Sequence, residues 1–189
     1  MHAAQLTLFD TAPALPPGFR YGPDLITPDD EWTLIDAIQH FAFANFAFHG
    51  FVGQRRTVSF GWRYDFDHAR LEQADAIPPA LLPLRDRAAA FAGLPPDDLA
   101  HVLVTEYTQG AAIGWHRDRP DFGDVIGISL ASPCNFRFRR RSAAGWDRAS
   151  LTLAPRSAYL LHGPSRTEWE HSIPGVDALR YSVTFRTLR

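Results

Sequence analysis

His116-Arg117-Asp118 sets an imidazole and a carboxylate two positions apart, which in extended chain turns both side chains to the same face. His171 supplies a third candidate ligand further along the chain. Two histidines and one carboxylate leave open positions on one side of an octahedral metal, an arrangement that suits non-haem Fe(II) working with oxygen. A surface His-Asp pair beside a turn would show the same short pattern. Near the C-terminus, Arg180, Ser182, Thr184 and Arg186 alternate with Tyr181, Val183 and Phe185. A strand there buries apolar side chains on one face and presents two guanidiniums on the other. Two arginines inside a barrel need an anion, and a dicarboxylate such as 2-oxoglutarate fits. One guanidinium would fork its distal carboxylate while the other meets the keto acid end. An edge strand with solvated arginines is the alternative.

Composition narrows the chemistry further. All 19 basic residues are arginine, which excludes Schiff-base lysines, P-loop lysines and Ser-Lys dyads. Cys134 stands alone, so there is no disulfide framework and no multi-cysteine metal site, and the eight histidines are the natural place to look for metal. A net charge of -2 argues against a general basic coat for nucleic acid, although arginines cluster locally. Met1 to Arg20 shows no signal-peptide pattern, and Phe41 to Val52 is too short and too polar to span a bilayer. A cytoplasmic, monomeric protein with no membrane partner is the expectation.

These residues must be positioned by a single domain, since 189 residues make one ordinary core. The string from Ala14 to Gly18 is turn-rich, which predicts a loosely attached tail over 1–18 and a domain over 19–189. Thr27-Pro28-Asp29-Asp30 opens an amphipathic helix running to about Phe41, and a second helix is predicted from Pro78 to Gly93. From His101 onward, short alternating runs read as strands: 101–107, 124–131, 134–139, 150–153, 157–162 and 180–187. The fold class is therefore mainly β with flanking helices (α+β), a two-sheet barrel or jelly roll with the helices outside.

Beyond these elements, the chain resembles the AlkB-like Fe(II)/2-oxoglutarate-dependent dioxygenases over roughly Val102 to Arg186. The resemblance rests on Tyr107 to Gly110, Ile113 to Asp118, Ile128 to Leu130, Phe136 to Phe138, Gly163 to Arg166, Trp169 to Ile173 and Arg180 to Arg186. It implies a double-stranded β-helix over about 101–189, with His116, Asp118 and His171 as iron ligands. It further implies that Arg180 meets the distal carboxylate of 2-oxoglutarate and Arg186 the keto acid carboxylate, with Tyr107 and Ser182 among the cosubstrate contacts. The chain departs from the family at Thr105 and Ser182, where asparagines often stand; both keep a hydroxyl. Pro120, with Asp121 beside it, replaces an acid that some members carry. Arg166 is expected to lock the loop ahead of His171, and His101, His162 and Cys134 are read as packing or surface residues.

The implied activity is oxidative removal of N-methyl groups from bases of DNA or RNA, with Fe(II) and 2-oxoglutarate, releasing formaldehyde. Oxygenation of a protein or small molecule is the first alternative, and a non-enzymatic jelly-roll binding module the second. A nucleotide-recognition lid is expected over about 48–66. In it Arg55, Arg56 and Arg63 would meet phosphate, while Phe60, Trp62 and Tyr64 would offer one stacking face. A hairpin that buries this face is the competing reading. Arg137, Arg139, Arg140, Arg141 and Arg148 form a second basic cluster, a candidate backbone clamp. In the tail, Gln5, Leu6, Leu8 and Phe9 resemble peptides that dock bacterial repair and replication proteins on the sliding clamp. Packing of the same residues on the domain is the alternative.

Overall fold

The structure, a computed structural model, describes residues 14–48, 51–65 and 68–189. In chain order the elements are β1 (Phe19–Gly22), α1 (Pro28–Gln39), β2 (Ala44–Phe48), β3 (Phe51–Phe60), β4 (Trp62–Asp65) and β5 (Arg70–Gln73). There follow α2 (Leu82–Ala92), β6 (His101–Tyr107), β7 (Ile113–His116), β8 (Phe122–Leu130), β9 (Cys134–Ser142) and β10 (Gly145–Leu153). The chain ends with β11 (Ala158–Leu161), α3 (Pro164–Thr167), β12 (Glu170–Ile173) and β13 (Arg180–Leu188).

All strand pairs are antiparallel. A seven-stranded sheet runs β1-β11-β8-β13-β6-β3-β2, a four-stranded sheet runs β10-β9-β12-β7, and β4 and β5 form a hairpin of their own. The two larger sheets face each other, because the inward side chains Val125, Tyr159 and Leu161 of one pack with Phe136, Phe138 and Leu153 of the other. The helices cover the opposite face of the larger sheet. Leu34 and Ile38 of α1 and Leu84, Ala88 and Ala89 of α2 meet Val102, Val104, Ile126, Ile128, Tyr181, Val183 and Phe185.

Local chemistry explains the helices. Thr27 accepts the Asp30 N–H at 3.1 Å while the Asp30 carboxylate accepts the Thr27 N–H at 3.0 Å, a reciprocal cap with Pro28 just inside it. The second helix is shorter than its sequence pattern. Pro79–Leu81 forms a 3-10 turn first, and α2 begins at Leu82 so that Pro83, which has no N–H, sits in its first turn. Buried Glu31 ties α1 to the sheet, accepting the Ala131 N–H at 2.9 Å and pairing with Arg156 at 3.1 Å. Among the described residues no helix is long and apolar enough to cross a membrane.

Candidate active site

The six strand runs expected from alternation all lie in the two facing sheets, and the site lies between those sheets. β7 and β12 pair so that His171 stands opposite His116, the rings 4.3 Å apart. Asp118 follows just past the end of β7. Ligand atoms of His116, Asp118 and His171 all lie within 4.8 Å of one another. His116 Nδ1 is 2.9 Å from the Gly114 carbonyl; because a carbonyl only accepts, Nδ1 carries the proton and Nε2 keeps its lone pair.

Asp118 divides its two oxygens. Oδ1 accepts from Arg186 Nε at 2.9 Å and Nη2 at 2.6 Å, while Oδ2 lies 3.6 Å from His171 Nε2. Burial works against the Asp118 charge, but Arg186 foremost, with the two histidines and Arg166, holds its carboxyl well below the usual carboxylate range. For His171, burial and the neighbouring His116 outweigh Asp118 and push its pKa down to about 3. The cluster thus offers one anionic oxygen, the neutral His171 imidazole and His116 Nε2, the donor set that a divalent transition metal takes.

The cosubstrate side is built on β13. Its outward residues Tyr181, Val183 and Phe185 enter the helix-covered core, so Arg180, Ser182, Thr184 and Arg186 face the space between the sheets. Register sets Arg180 opposite Tyr107, and Ser182 opposite both Thr105 and Ser129. Arg180 is fully buried; its Nε donates to Ser129 Oγ at 3.0 Å and its guanidinium lies 5.1 Å over the Tyr107 ring. Its Nη1 and Nη2 are buried with no partner. Such an orphaned fork is costly by itself and is resolved by a carboxylate with two oxygens. Tyr107 is buried too, and burial raises its phenol pKa, leaving a neutral hydroxyl donor. These residues therefore fit Fe(II) and 2-oxoglutarate: His116, Asp118 and His171 would hold the metal and Arg180 the distal carboxylate. Arg186, set by resemblance against the keto acid carboxylate, is engaged here by Asp118 and by His101.

Two residues support the site from behind its ligands. Buried His101 accepts from Arg186 Nη1 at 3.4 Å and packs its ring, tilted, against Phe122 at 4.6 Å, so its place is behind the site rather than in general packing. Burial foremost, then Arg186, lowers its pKa well below the ordinary histidine value. Arg166 acts as a lock on the Asp118 loop, its guanidinium donating to the carbonyls of Gly123, Asp118, Arg119 and Phe122 at 2.6 to 3.2 Å. His162 is exposed and paired with Asp124.

The residues expected in a lid are divided among three environments. Phe60 is buried in the core against Phe41, and Gly61 (φ +74°) ends β3, so alternation does not continue into Trp62 and Tyr64. This corrects the single stacking face. Arg56 turns to the helix side of the sheet and pairs with buried Glu106 at 2.7 Å, and Arg63 pairs with Glu72. Arg55 instead faces inward, opposite Tyr107, and reaches the Ala112 carbonyl at 3.2 Å. Trp62 is half-buried on β4, and Tyr64 packs on and hydrogen-bonds to Arg119, next to Asp118. Gln5, Leu6, Leu8 and Phe9 lie outside the described residues.

Residues 45–186 match the 2OG-Fe(II) oxygenase superfamily. The chain belongs to that superfamily. Among curated proteins, this oxygenase is 27% identical over 199 residues to "Alkylated DNA repair protein ALKBH8 homolog" of Arabidopsis thaliana, covering 92% of this chain and 56% of that protein. It is 30% identical over 147 residues to "DNA oxidative demethylase ALKBH2" of Bos taurus, covering 68% of this chain and 50% of that protein. The oxygenase thus spans about half the length of these two relatives. The solved structure of OsALKBH1 superposes with a TM-score of 0.72 at 18% identity, over 92% of this chain and 98% of that one, and so shares the double-stranded β-helix fold.

Proposed function

We propose that this oxygenase oxidatively dealkylates N-methylated bases of DNA or RNA. The observation that carries the reading is the contact of Tyr64 with Arg119, which brings the aromatic β4–β5 hairpin against the loop that bears Asp118. A flat face beside the candidate iron ligands suits an extruded base. The names of the two curated relatives support the same substrate class.

The division of labour follows from the site. Arg180 takes the distal carboxylate of 2-oxoglutarate in its free fork, and Tyr107 donates from the neighbouring strand. Arg186 keeps Asp118 ionised and turned so that Oδ2 faces the histidines. Fe(II), when bound by the triad, supplies with O2 and 2-oxoglutarate the oxidising power for C–H hydroxylation, releasing succinate and CO2. A hydroxylated N-methyl group then collapses to the free base and formaldehyde.

The test is a panel of methylated DNA and RNA oligonucleotides incubated with Fe(II), 2-oxoglutarate and O2, read by mass spectrometry. Loss of methyl groups with stoichiometric formaldehyde is the expected result. Turnover of 2-oxoglutarate that no oligonucleotide stimulates would overturn the substrate class and leave the oxygenase chemistry standing.

A further inference from the structure

The outer face of the four-stranded sheet carries side chains that neither the iron site nor the core uses. Along β9, Phe136 and Phe138 point inward, so Arg137, Arg139 and Arg141 point out. Register sets Trp146 of β10 opposite Arg141 and Arg148 opposite Arg139, and sets Glu170 of β12 opposite Arg139 as well. Because His116 and His171 turn inward, Trp115 of β7 falls on this outer face too. Indole and guanidinium alternate across it. Arg137 and Arg139 lie over Trp115 at 5.1 and 4.6 Å from the ring, and Arg139 and Arg141 lie over Trp146 at 4.6 and 4.4 Å.

Charge balance within the sheet does not account for this arrangement. Arg139 and Arg148 stand directly opposite each other, a like-charge pair that weakens a sheet. Among the described residues, Glu170, 2.6 Å from Arg139, is the one carboxylate that these strands place on a face holding Arg137, Arg139, Arg141 and Arg148. Arg140, one position away and on the other side, is by contrast matched by Glu168 and Asp147 at 2.7 and 3.1 Å. Arg141 and Arg148 are exposed, and among the described residues neither forms an ion pair.

We propose that this face binds the phosphate backbone of the nucleic-acid strand that flanks the base being processed, an exosite on the back of the sheet whose inner face holds the iron ligands. The proposal rests on nucleic acid as the substrate class. Guanidiniums held over indole rings have less side-chain freedom left to lose when a phosphate arrives. Alternate arginines on β9 recur every ~6.8 Å, a step comparable with that between successive phosphates of an extended strand. β7 is the last strand of its sheet, so a strand leaving the site rounds one edge, at Trp115, to reach the track.

The experiment compares an Arg141→Glu/Arg148→Glu variant, an Arg141→Lys/Arg148→Lys variant and the unaltered chain. Anisotropy follows a labelled, unmodified single strand of about 20 nucleotides at several salt concentrations. The glutamate pair is expected to weaken binding about tenfold or more and to flatten the salt slope by about 1.4, two contacts at ~0.7 each. The lysine pair, which keeps the charge but not the Arg141 stacking plane, is expected to keep the salt slope and to bind about two- to fivefold more weakly than the unaltered chain. Uncoupled 2-oxoglutarate turnover reports an intact site, and should be the same in all three. A methylated trinucleotide, too short to reach the exosite, should be processed equally by all three. Undiminished binding by the glutamate pair overturns the proposal, as does equal displacement of the strand by polyglutamate, which would mark a surface for acidic protein. If the glutamate pair does not fold, Arg141→Gln/Arg148→Gln carries the same comparison. Failure to process any methylated oligonucleotide would overturn the substrate reading, and strand binding would still decide the exosite.

Discussion

Asp118 has two oxygens and two tasks. With Oδ1 filled by Arg186 Nε and Nη2, only Oδ2 remains to face a metal, so Arg186 acts on the iron through the ligand it holds. Arg186→Lys keeps the charge but offers one nitrogen where two now sit. Its Fe(II) affinity should fall about 10- to 100-fold in a chelator competition, and an unchanged affinity would remove Arg186 from this role. Behind it, His101 is held neutral by burial and by Arg186. Its folded pKa lies below its unfolded one, so the unfolded chain takes up the proton first as pH falls. The stabilisation is therefore full above about pH 6.5 and declines below it, by up to ~1.4 kcal/mol per pH unit for such a group. His101→Gln, which keeps an acceptor for Arg186, should flatten that slope in urea melts of metal-free protein between about pH 7.5 and 5.5. A slope equal to that of the unaltered chain would place the proton uptake elsewhere. His116, Asp118 and Arg180 could be found from spacing and alternation, because each carries its signal within a few residues. His101 could not, since its partner lies at 186; Arg166 is legible as a loop lock, but the carbonyls it holds, over 118–123, are brought near only by the fold.

At the scale of elements, the course of the chain from β3 into β4 is decided by one glycine. Gly61 adopts φ +74°, and a Cβ there would stand 2.0 Å from the Ala100 carbonyl oxygen. The chain can therefore leave β3, bury Phe60 and restart at Trp62 on a separate hairpin only while this position has no side chain. Gly61→Ala should cost on the order of 2–4 kcal/mol in urea unfolding, from left-handed strain plus displaced backbone. A loss under about 0.5 kcal/mol would show that the bend relaxes freely. The bend was also what strict alternation over Phe60, Trp62 and Tyr64 could not reveal, because period two assumes an unbroken strand. β6, β8 and β13 show sustained alternation, whereas β7 and β12, with four residues each, carry the metal ligands and have too few positions to display a period.

Over the whole molecule the two cores differ in kind. The helix-covered side of the seven-stranded sheet is mainly apolar, with Glu31 and Glu106 buried there against Arg156 and Arg56, while the inner side sets Arg180, Ser182, Thr184 and Arg186 toward the second sheet. Arg180 is the extreme case, fully buried with both Nη atoms unpartnered. A fold selected for stability alone would replace it by an apolar side chain of similar volume, an exchange that is neutral or favourable for a buried charge. Arg180→Met should accordingly unfold at the same or higher urea concentration than the unaltered chain when no 2-oxoglutarate is present, with a gain of up to about 1–3 kcal/mol. Adding Mn(II) and 2-oxoglutarate without oxygen should reverse the order. The unaltered chain gains about 2.7 kcal/mol when 2-oxoglutarate is at a hundredfold excess over its Kd, and the methionine variant gains only what the metal confers. If Arg180→Met is instead strongly destabilised with no ligand added, the guanidinium is satisfied within the fold, and the distal carboxylate must be held elsewhere.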